Sequence, residues 1–178
     1  MQEKQNKIPI HLWLLVAGIL TVAYTMEVLK GQRSIRYLTS FLLITDVSPI
    51  AAWLYDMKKP GREKMRYFIS IGYFFMYLFV MLTANTKLSF CYILPLLLVT
   101  VLYNDVKMTA GISICTMALN VALVGKDLLL GKIDLENSKD YEIQIALLGL
   151  CFVIAMITVK RLREMMLENL EQAKKVSQ

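Results

Sequence analysis

Apolar residues in this chain are gathered into six blocks, and short clusters of charged residues separate them. A helix needs about 20 mostly apolar residues to cross about 30 Å of hydrocarbon. The blocks therefore predict an all-α fold, a polytopic membrane helix bundle of about six transmembrane helices. The predicted spans are Ile8–Leu29, Tyr37–Tyr55, Met65–Thr83, Leu88–Tyr103, Met108–Gly125 and Tyr141–Val159.

The connections between the blocks are short. The cluster Lys58, Lys59, Pro60, Gly61 and Arg62 predicts a turn. The fourth and fifth blocks are joined only by residues 104–107, which favours an antiparallel hairpin of two short helices. The other sizeable loop is predicted at Gly131 to Asp140.

Beyond Val159 the chain becomes polar, but helix-forming residues continue without Gly or Pro to Gln178. The last transmembrane helix is therefore expected to extend into the cytosol. Six positions at alternating spacings of three and four resemble a coiled-coil seam with a polar break: they are Val159, Leu162, Met166, Asn169, Ala173 and Val176. A solvated juxtamembrane helix is the alternative. The expected domains are a membrane-embedded bundle over residues 1–159 and a cytosolic signalling linker over residues 160–178.

The orientation follows from Lys and Arg, which accumulate in cytoplasmic loops. With six spans, thirteen of the twenty such residues fall on the side that holds both termini. Because Asp46 lies at the centre of the second block, a five-span alternative stays open, in which Tyr37–Tyr55 does not cross and the amino terminus lies outside. In both topologies the chain is a cell-membrane protein, and its carboxyl terminus lies in the cytosol.

Composition agrees with this class. Hydrophobic residues make up 57% of the chain and charged residues 19%, which is typical of a membrane protein. A membrane bundle uses most of the 178 residues, which leaves no room for a soluble catalytic domain of typical size. The net charge of +6 sits in loops rather than on one face, so nucleic acid is not an expected partner. Three cysteines, Cys91, Cys115 and Cys151, lie inside apolar blocks and are expected to be buried, inert thiols.

Asp46 is the sharpest candidate for a site. A carboxylate near the bilayer centre costs a few kcal/mol, so we expect it to face the bundle interior and to have a partner. Its functional interpretation is a ligand, cation or proton site. The alternative is an acid that is hydrogen-bonded to a neighbouring helix.

Aromatic residues concentrate in the third span and the turn that follows it. Aromatic walls with a few polar groups are typical of small-molecule pockets, although lipid contact and helix packing explain them as well. A pocket near the outer ends of spans three and four would include Tyr77, Asn85 and Thr86. In the fifth span, Asn120 is a further polar candidate, and an interhelical hydrogen bond is its simpler explanation.

The sequence offers no catalytic motif, so we expect neither an enzyme, a cofactor nor a metal site. The single histidine, His11, stands beside Trp13 at the mouth of the first span, where an interfacial anchor is predicted. Glu27 lies at the end of that span close to Lys30, which is typical of a snorkelling charge at the membrane rim.

Four stretches carry a resemblance to a known group of proteins. They are IPIHLWLLVAGILTVAYTMEVLKGQR, MRYFISIGYFFMYLFVMLTANTKLSFCYILPLLLV, ENSKDYEIQIALLGLCF and the tail EMMLENLEQAKKVSQ. The first three resemble the amino-terminal membrane module of clostridial methyl-accepting chemotaxis proteins and related diguanylate cyclase or phosphodiesterase receptors. The tail is similar to the start of a chemoreceptor's cytoplasmic hairpin, but the glutamate-rich methylation helices are absent.

The resemblance implies a sensory and anchoring module that passes a stimulus through its last transmembrane helix to a cytosolic coiled coil. The implied partners are the lipid bilayer, a second copy of the chain and an unknown small ligand. A histidine kinase or adaptor is expected only if a cytoplasmic hairpin follows Gln178. The rival hypothesis is the substrate-binding membrane subunit of a small-solute, vitamin-type transporter, in which Asp46 and the aromatic residues would bind the solute.

Overall fold

The computed structural model describes residues 2–58, 62, 64–83, 86–131 and 135–176, and the regular elements among them are all helices. In chain order they are α1 (Gln2–Leu29), α2 (Ile35–Thr45), α3 (Val47–Lys58), α4 (Met65–Thr83), a 3-10 helix (Lys87–Ile93), α5 (Leu94–Leu102), α6 (Val106–Leu129) and α7 (Leu135–Val176). The predicted all-α class is confirmed.

Five helical segments in the described ranges are long and apolar enough to cross a bilayer. They are Asn6–Leu29, Ile35–Lys58, Met65–Thr83, Val106–Leu129 and Ser138–Lys175, and Leu88–Leu102 is a shorter apolar helix. Large apolar side chains stay exposed along them, for example Val22 and Ile114. Such outward apolar faces suit a lipid solvent and would be costly in water, so the chain is a membrane protein with several helices that can span.

The chain divides into two compact units, Met1–Leu96 and Leu97–Gln178, which we call unit 1 and unit 2. Unit 1 contains α1 to α4 and the 3-10 helix. Its core consists of large side chains that are fully buried, among them Trp13, Phe41, Tyr73 and Tyr77. Unit 2 contains α6 and α7, which pack along each other.

In unit 1, α1 and α4 run in the same direction and α2–α3 runs back between their ends. At the end where α1 and α4 begin, the amide Nδ2 of Asn6 donates to the carbonyl of Arg62 at 3.2 Å. We call this the basal end. At the opposite, distal end, residues from α1, α2 and α4 meet around Arg33.

The turn between α1 and α2 is fixed by its backbone. Gly31 has φ +72° and closes α1, because only glycine adopts this conformation at little cost. The amide of Gln32 donates to the Glu27 carbonyl and that of Gly31 to the Val28 carbonyl, which completes a Schellman cap. Ser34 then caps α2 by accepting from the amide of Tyr37 at 3.2 Å.

The second predicted span is present as Ile35–Lys58, but it is interrupted at Asp46, between α2 and α3. The cause lies three residues further on. Pro49 has no amide hydrogen, and its ring crowds the carbonyl of Thr45, one turn earlier. The chain therefore departs from regular helix where its central carboxylate lies.

The side chain of Trp13 is fully buried. Gly72 on α4 makes this possible, because a Cβ atom there would overlap Cη2 of the Trp13 indole. The missing side chain makes room for the ring between α1 and α4. His11, in contrast, is exposed, and its Nδ1 lies 2.6 Å from the Lys7 carbonyl.

The fourth and fifth spans differ from their predicted form. The fourth begins as a 3-10 helix and becomes α-helical only at Leu94, whereas α6 is not short but 24 residues long. The turn between α5 and α6 is as tight as predicted. Asn104 adopts φ 53° there, and the Asp105 carboxylate caps α6 by accepting from the Met108 amide at 3.0 Å.

Two further predictions concern loops and thiols. The loop predicted at Gly131 to Asp140 is wrong from Leu135 onward, because α7 already begins there. The turn predicted around Lys59, Pro60 and Gly61 lies outside the described residues. The cysteines were predicted to be buried, which is wrong: Cys115 is exposed, and Cys91 and Cys151 are half-buried.

Candidate functional site

Asp46 is held by a neighbouring helix. The hydroxyl of Thr21, near the middle of α1, donates to both carboxylate oxygens of Asp46, at 3.1 Å and 2.9 Å. The adjacent Thr45 hydroxyl lies 3.5 Å from one of these oxygens and donates to the Phe41 carbonyl at 2.8 Å. The acid therefore has the interhelical partner that its position requires. Whether it also binds a ligand stays a prediction.

The densest set of polar contacts in the described part of unit 1 surrounds Arg33 at the distal end. Its Nε donates to Oε2 of Glu27 at 2.6 Å, and its Nη2 donates to the carbonyl of Thr83, the last residue of α4, at 2.7 Å. Its guanidinium carbon lies 4.2 Å from the centre of the Tyr37 ring. The Arg33 side chain is only 10% exposed.

This arrangement joins three helices through one cation. The last carbonyls of a helix have no partner within it and carry partial negative charge, so a guanidinium at Thr83 satisfies the end of α4. Glu27, near the end of α1, binds the same guanidinium. Tyr37 of α2 also contributes its hydroxyl, which lies 2.8 Å from the Thr83 hydroxyl.

Aromatic rings form the wall of this cluster. The Tyr24 ring is tilted against Phe41 with ring centres 4.4 Å apart, while Phe79 lies 5.8 Å from Tyr37 and 6.2 Å from Phe41. We call the group Tyr24, Glu27, Arg33, Tyr37, Phe41, Phe79 and Thr83 the arginine cluster. Cation–π contacts of this kind contribute about 0.5–2 kcal/mol each, more where water is excluded.

The cluster changes the interpretation of the aromatic-rich region. The sequence suggested a pocket near the outer ends of spans three and four, and the distal end of unit 1 does carry an aromatic wall. Its polar centre, however, is occupied by the chain's own Arg33. Tyr77 is fully buried in α4, Thr86 is exposed and caps the 3-10 helix through Leu88, and Asn85 lies outside the described residues.

Sequence reasoning missed this cluster for an identifiable reason. Arg33 was counted only as a loop charge, and Glu27 only as a rim charge near Lys30, whereas the two side chains form an ion pair. The available signal was the Schellman glycine at position 31, which turns the chain back so that residue 33 lies beside residue 27.

Unit 2 carries a different polar feature. Asn120 accepts from Nε2 of Gln144 on α7 at 2.7 Å and donates to the Thr116 carbonyl at 2.8 Å, all within buried surroundings. The simpler explanation that the sequence gave for Asn120 is thus present. A second contact, from the Tyr141 hydroxyl to Asp127 at 3.0 Å, fixes the same antiparallel register.

Asn120 is the last of four buried polar residues on one face of α6, at spacings of four, three and four: Thr109, Ser113, Thr116 and Asn120. The register set by Gln144 places Thr116 at the level of Leu148. Small hydroxyl residues let helices approach closely within a membrane. The side-chain oxygens of Ser113 and Thr116 are buried without a hydrogen-bond partner.

The final part of α7 is largely uncovered. Every described side chain from Lys160 to Lys175 is exposed. Several of them are large and apolar, including Leu162 at 40% and Met166 at 52%. Near the start of this segment, Nδ2 of Asn104 lies 3.7 Å from the sulfur of Met166. The side chain of Val176, the last predicted seam position, lies outside the described part.

The five predicted site residues do not form one described site. Asp46, Tyr77 and Thr86 belong to unit 1 and Asn120 belongs to unit 2. Within the described ranges, no three His, Cys, Asp or Glu side chains lie close enough to share a metal ion. What the geometry offers instead is hydrogen-bonded contacts between helices and an uncovered helical tail.

Comparison with known proteins gives no match: no family model fits the chain, and no curated protein or solved structure is significantly similar to it.

Proposed function

We propose that this chain is the membrane-embedded sensory and anchoring module of a bacterial signalling protein, and that it passes a change in its helices to the cytosol through α7. The observation that carries the proposal is the unbroken course of α7 from Leu135 to Val176. At 1.5 Å per residue its 42 residues extend about 63 Å. Residues 143–159 of this helix are mostly apolar, and the described residues from Lys160 onward are exposed and rich in charge.

A helix without a break moves as one body, so a shift at one end reaches the other. The hydrogen bond between Gln144 and Asn120 lies in the apolar part, where it fixes how α7 sits on α6. Packed interfaces tend to change between discrete arrangements rather than continuously. A stimulus that alters this register would therefore displace the tail.

The tail carries an apolar surface that can pair with another helix, so a displacement of the tail would change that pairing. Leu162 and Met166 are exposed in the single chain, and Met165, Leu167 and Leu170 lie beside them with half of their surface uncovered. Exposed apolar residues at coiled-coil spacing are typical of a helix that pairs. We propose that a second copy of the chain covers Leu162, Met166, Asn169 and Ala173 in a parallel dimer.

We propose that the protein lies in the cell membrane with this tail in the cytosol. The charge distribution supports this, since Lys and Arg are concentrated on the side that holds the carboxyl terminus. A histidine kinase or adaptor would be a partner only if a cytoplasmic hairpin follows Gln178. A transporter subunit would account for the helices of both units, but not for an exposed amphipathic helix of about 24 Å.

The test uses a small packing change in place of an unknown stimulus. The full chain is fused after Gln178, in heptad register, to a dimeric histidine-kinase output, and autophosphorylation is measured in membrane vesicles. Asn120→Ala removes the acceptor of Gln144. Since such bonds contribute about 0.6 kcal/mol, we expect kinase activity to change about threefold.

Two insertions after Lys160 serve as controls. Two glycines should abolish the difference between Asn120→Ala and the unchanged chain, because they break the rigid connection. Seven helix-forming residues preserve the heptad register and should retain the difference. The proposal would be contradicted if Asn120→Ala left kinase activity unchanged. It would also be contradicted if the difference in kinase activity persisted after the two-glycine insertion.

A further inference from the structure

A groove opens at the basal end of unit 1, between α3 and the start of α4. Its volume is about 350 Å³, and six residues line it: Ala51, Tyr55, Arg62, Lys64, Met65 and Phe68. This volume lies at the lower end of the range for small-molecule sites. The groove is distinct from the arginine cluster, which occupies the distal end, and from the polar contacts of unit 2.

The mouth of the groove is cationic. Arg62 and Lys64 both line it, and both are exposed. Tyr55 orients the arginine: its hydroxyl accepts from Nη1 at 2.8 Å, and the guanidinium carbon lies 5.8 Å from its ring centre. A guanidinium has five N–H donors in a planar fork that matches phosphate oxygens. A lysine beside it adds a second, mobile positive charge.

The interior of the groove is apolar. Met65 forms its floor and is only 4% exposed, whereas Phe68 forms a wall and is half exposed. From Phe68 an exposed apolar track continues along the same face of α4 through Ile71 and Phe75. The groove therefore leads from two cations into the part of unit 1 that faces hydrocarbon.

Among the described residues, those that line the groove include no acid. Asp56 follows Tyr55 in α3, but it is buried on a different face of the helix, together with Pro49 and Ala52. Ala51 and Tyr55, one helical turn apart, form the face that lines the groove.

We propose that this groove binds one anionic glycerophospholipid, with its phosphate on Arg62 and Lys64 and an acyl chain along Phe68, Ile71 and Phe75. A soluble anion would use the cations but not the apolar track, and a neutral lipid would use the track but not the cations. Only an anionic amphiphile satisfies both ends. Basic segments at membrane surfaces attract anionic lipids in this way.

The experiment measures lipid retention by native mass spectrometry of the full chain released from nanodiscs. The nanodiscs contain phosphatidylcholine with a small fraction of phosphatidylglycerol. The unchanged chain should retain one phosphatidylglycerol, with a preference of about tenfold or more over phosphatidylcholine, since two cations act on it. The double variant Arg62→Gln/Lys64→Gln should lose that preference.

Two variants separate a built groove from general attraction. Lys30→Gln/Arg36→Gln removes two exposed cations at the distal end and should leave retention unchanged. Ala51→Trp keeps both basal cations but fills the groove and should abolish retention of the lipid. Equal loss in both charge variants would overturn the proposal, and so would full retention by Ala51→Trp.

A last arm distinguishes the lipid from its head group. Glycerol 3-phosphate at millimolar concentration should not displace the retained phosphatidylglycerol, because it lacks the acyl chains that occupy the apolar track. Displacement at that concentration would mean that the groove is a site for soluble anions, and the lipid proposal would fail.

Discussion

Units 1 and 2 differ in how they arrange the polar contacts between their helices. In unit 1 Thr21 holds Asp46 near the middle of the helices, and at the distal end Arg33 alone contacts residues of α1, α2 and α4. Unit 2 places its polar contacts along a seam, where Asn120 and Gln144 join two long helices midway. One arrangement ties several helices at one point, and the other sets the register between two helices.

The difference suggests a division of labour. A point that three helices share resists any relative movement, because each displacement breaks several contacts at once. A seam with two side-chain hydrogen bonds of modest strength and small hydroxyl side chains can slip by one helical turn at modest cost. Unit 1 therefore suits a fixed frame, and unit 2 suits the part that moves.

The largest effect should come from removing Arg33. Arg33→Ala leaves Glu27 without its cation and the last carbonyl of α4 without its donor. Breaking a buried pair costs about 3–5 kcal/mol, and the half-exposed Glu27 reduces this to about 2–3 kcal/mol. Reversible unfolding in mixed micelles measures it. Arg36→Ala, at an exposed position one turn further on, should change the unfolding free energy by less than about 0.5 kcal/mol.

A smaller loss is expected at Gly72, where unit 1 packs helix on helix. Gly72→Ala places a methyl group against the Trp13 indole, and the overlap should cost about 1–3 kcal/mol. The matched control is Gly18→Ala on α1, where the added Cβ meets nothing within 4 Å. It should be neutral or slightly stabilising, since alanine favours helix. Equal stability of the two variants would show that Trp13 does not depend on this glycine.

The smallest effect belongs to unit 2, and a double-mutant cycle resolves it. Asn120→Ala and Gln144→Ala should show a coupling energy of about 0.6 kcal/mol, with an upper limit near 1.7 kcal/mol. Asn120→Ala combined with Thr158→Ala is the control. Thr158 bonds its own helix at Ile154, so that pair should show no coupling. A coupling energy larger than the losses in unfolding free energy measured for the unit 1 variants would reverse the comparison between the two units.

The sequence predicted those features that depend on local composition. The third span was predicted as Met65–Thr83 and is observed with the same bounds, because basic residues precede it and its apolar run is unbroken. The continuation of α7 beyond Val159 followed from the absence of Gly and Pro after that residue. The contact of Arg33 with Thr83 joins residues 50 positions apart, and no local pattern encodes such a distance.

The side on which a residue packs was harder to predict than the span that contains it. Nothing local to Trp13 indicates its burial, which depends on the space that Gly72 leaves on another helix. Cys115 looked buried because its block is apolar, yet in a membrane helix an apolar residue faces lipid as readily as protein. The division into domains at residue 159 and the site role of Asp46 stay predictions.

The continuity of α7 across the membrane boundary is the claim on which signalling through this chain depends. A nitroxide scan from residue 150 to residue 175, in vesicles and in a cysteine-free background, measures it through accessibility to oxygen and to a water-soluble nickel reagent. The account predicts one uninterrupted period of 3.6 residues, with oxygen contact giving way to nickel contact near Lys160. A loss of that period between Val159 and Arg163 would reveal a hinge, and a tail joined by a hinge could not follow the helices in the membrane.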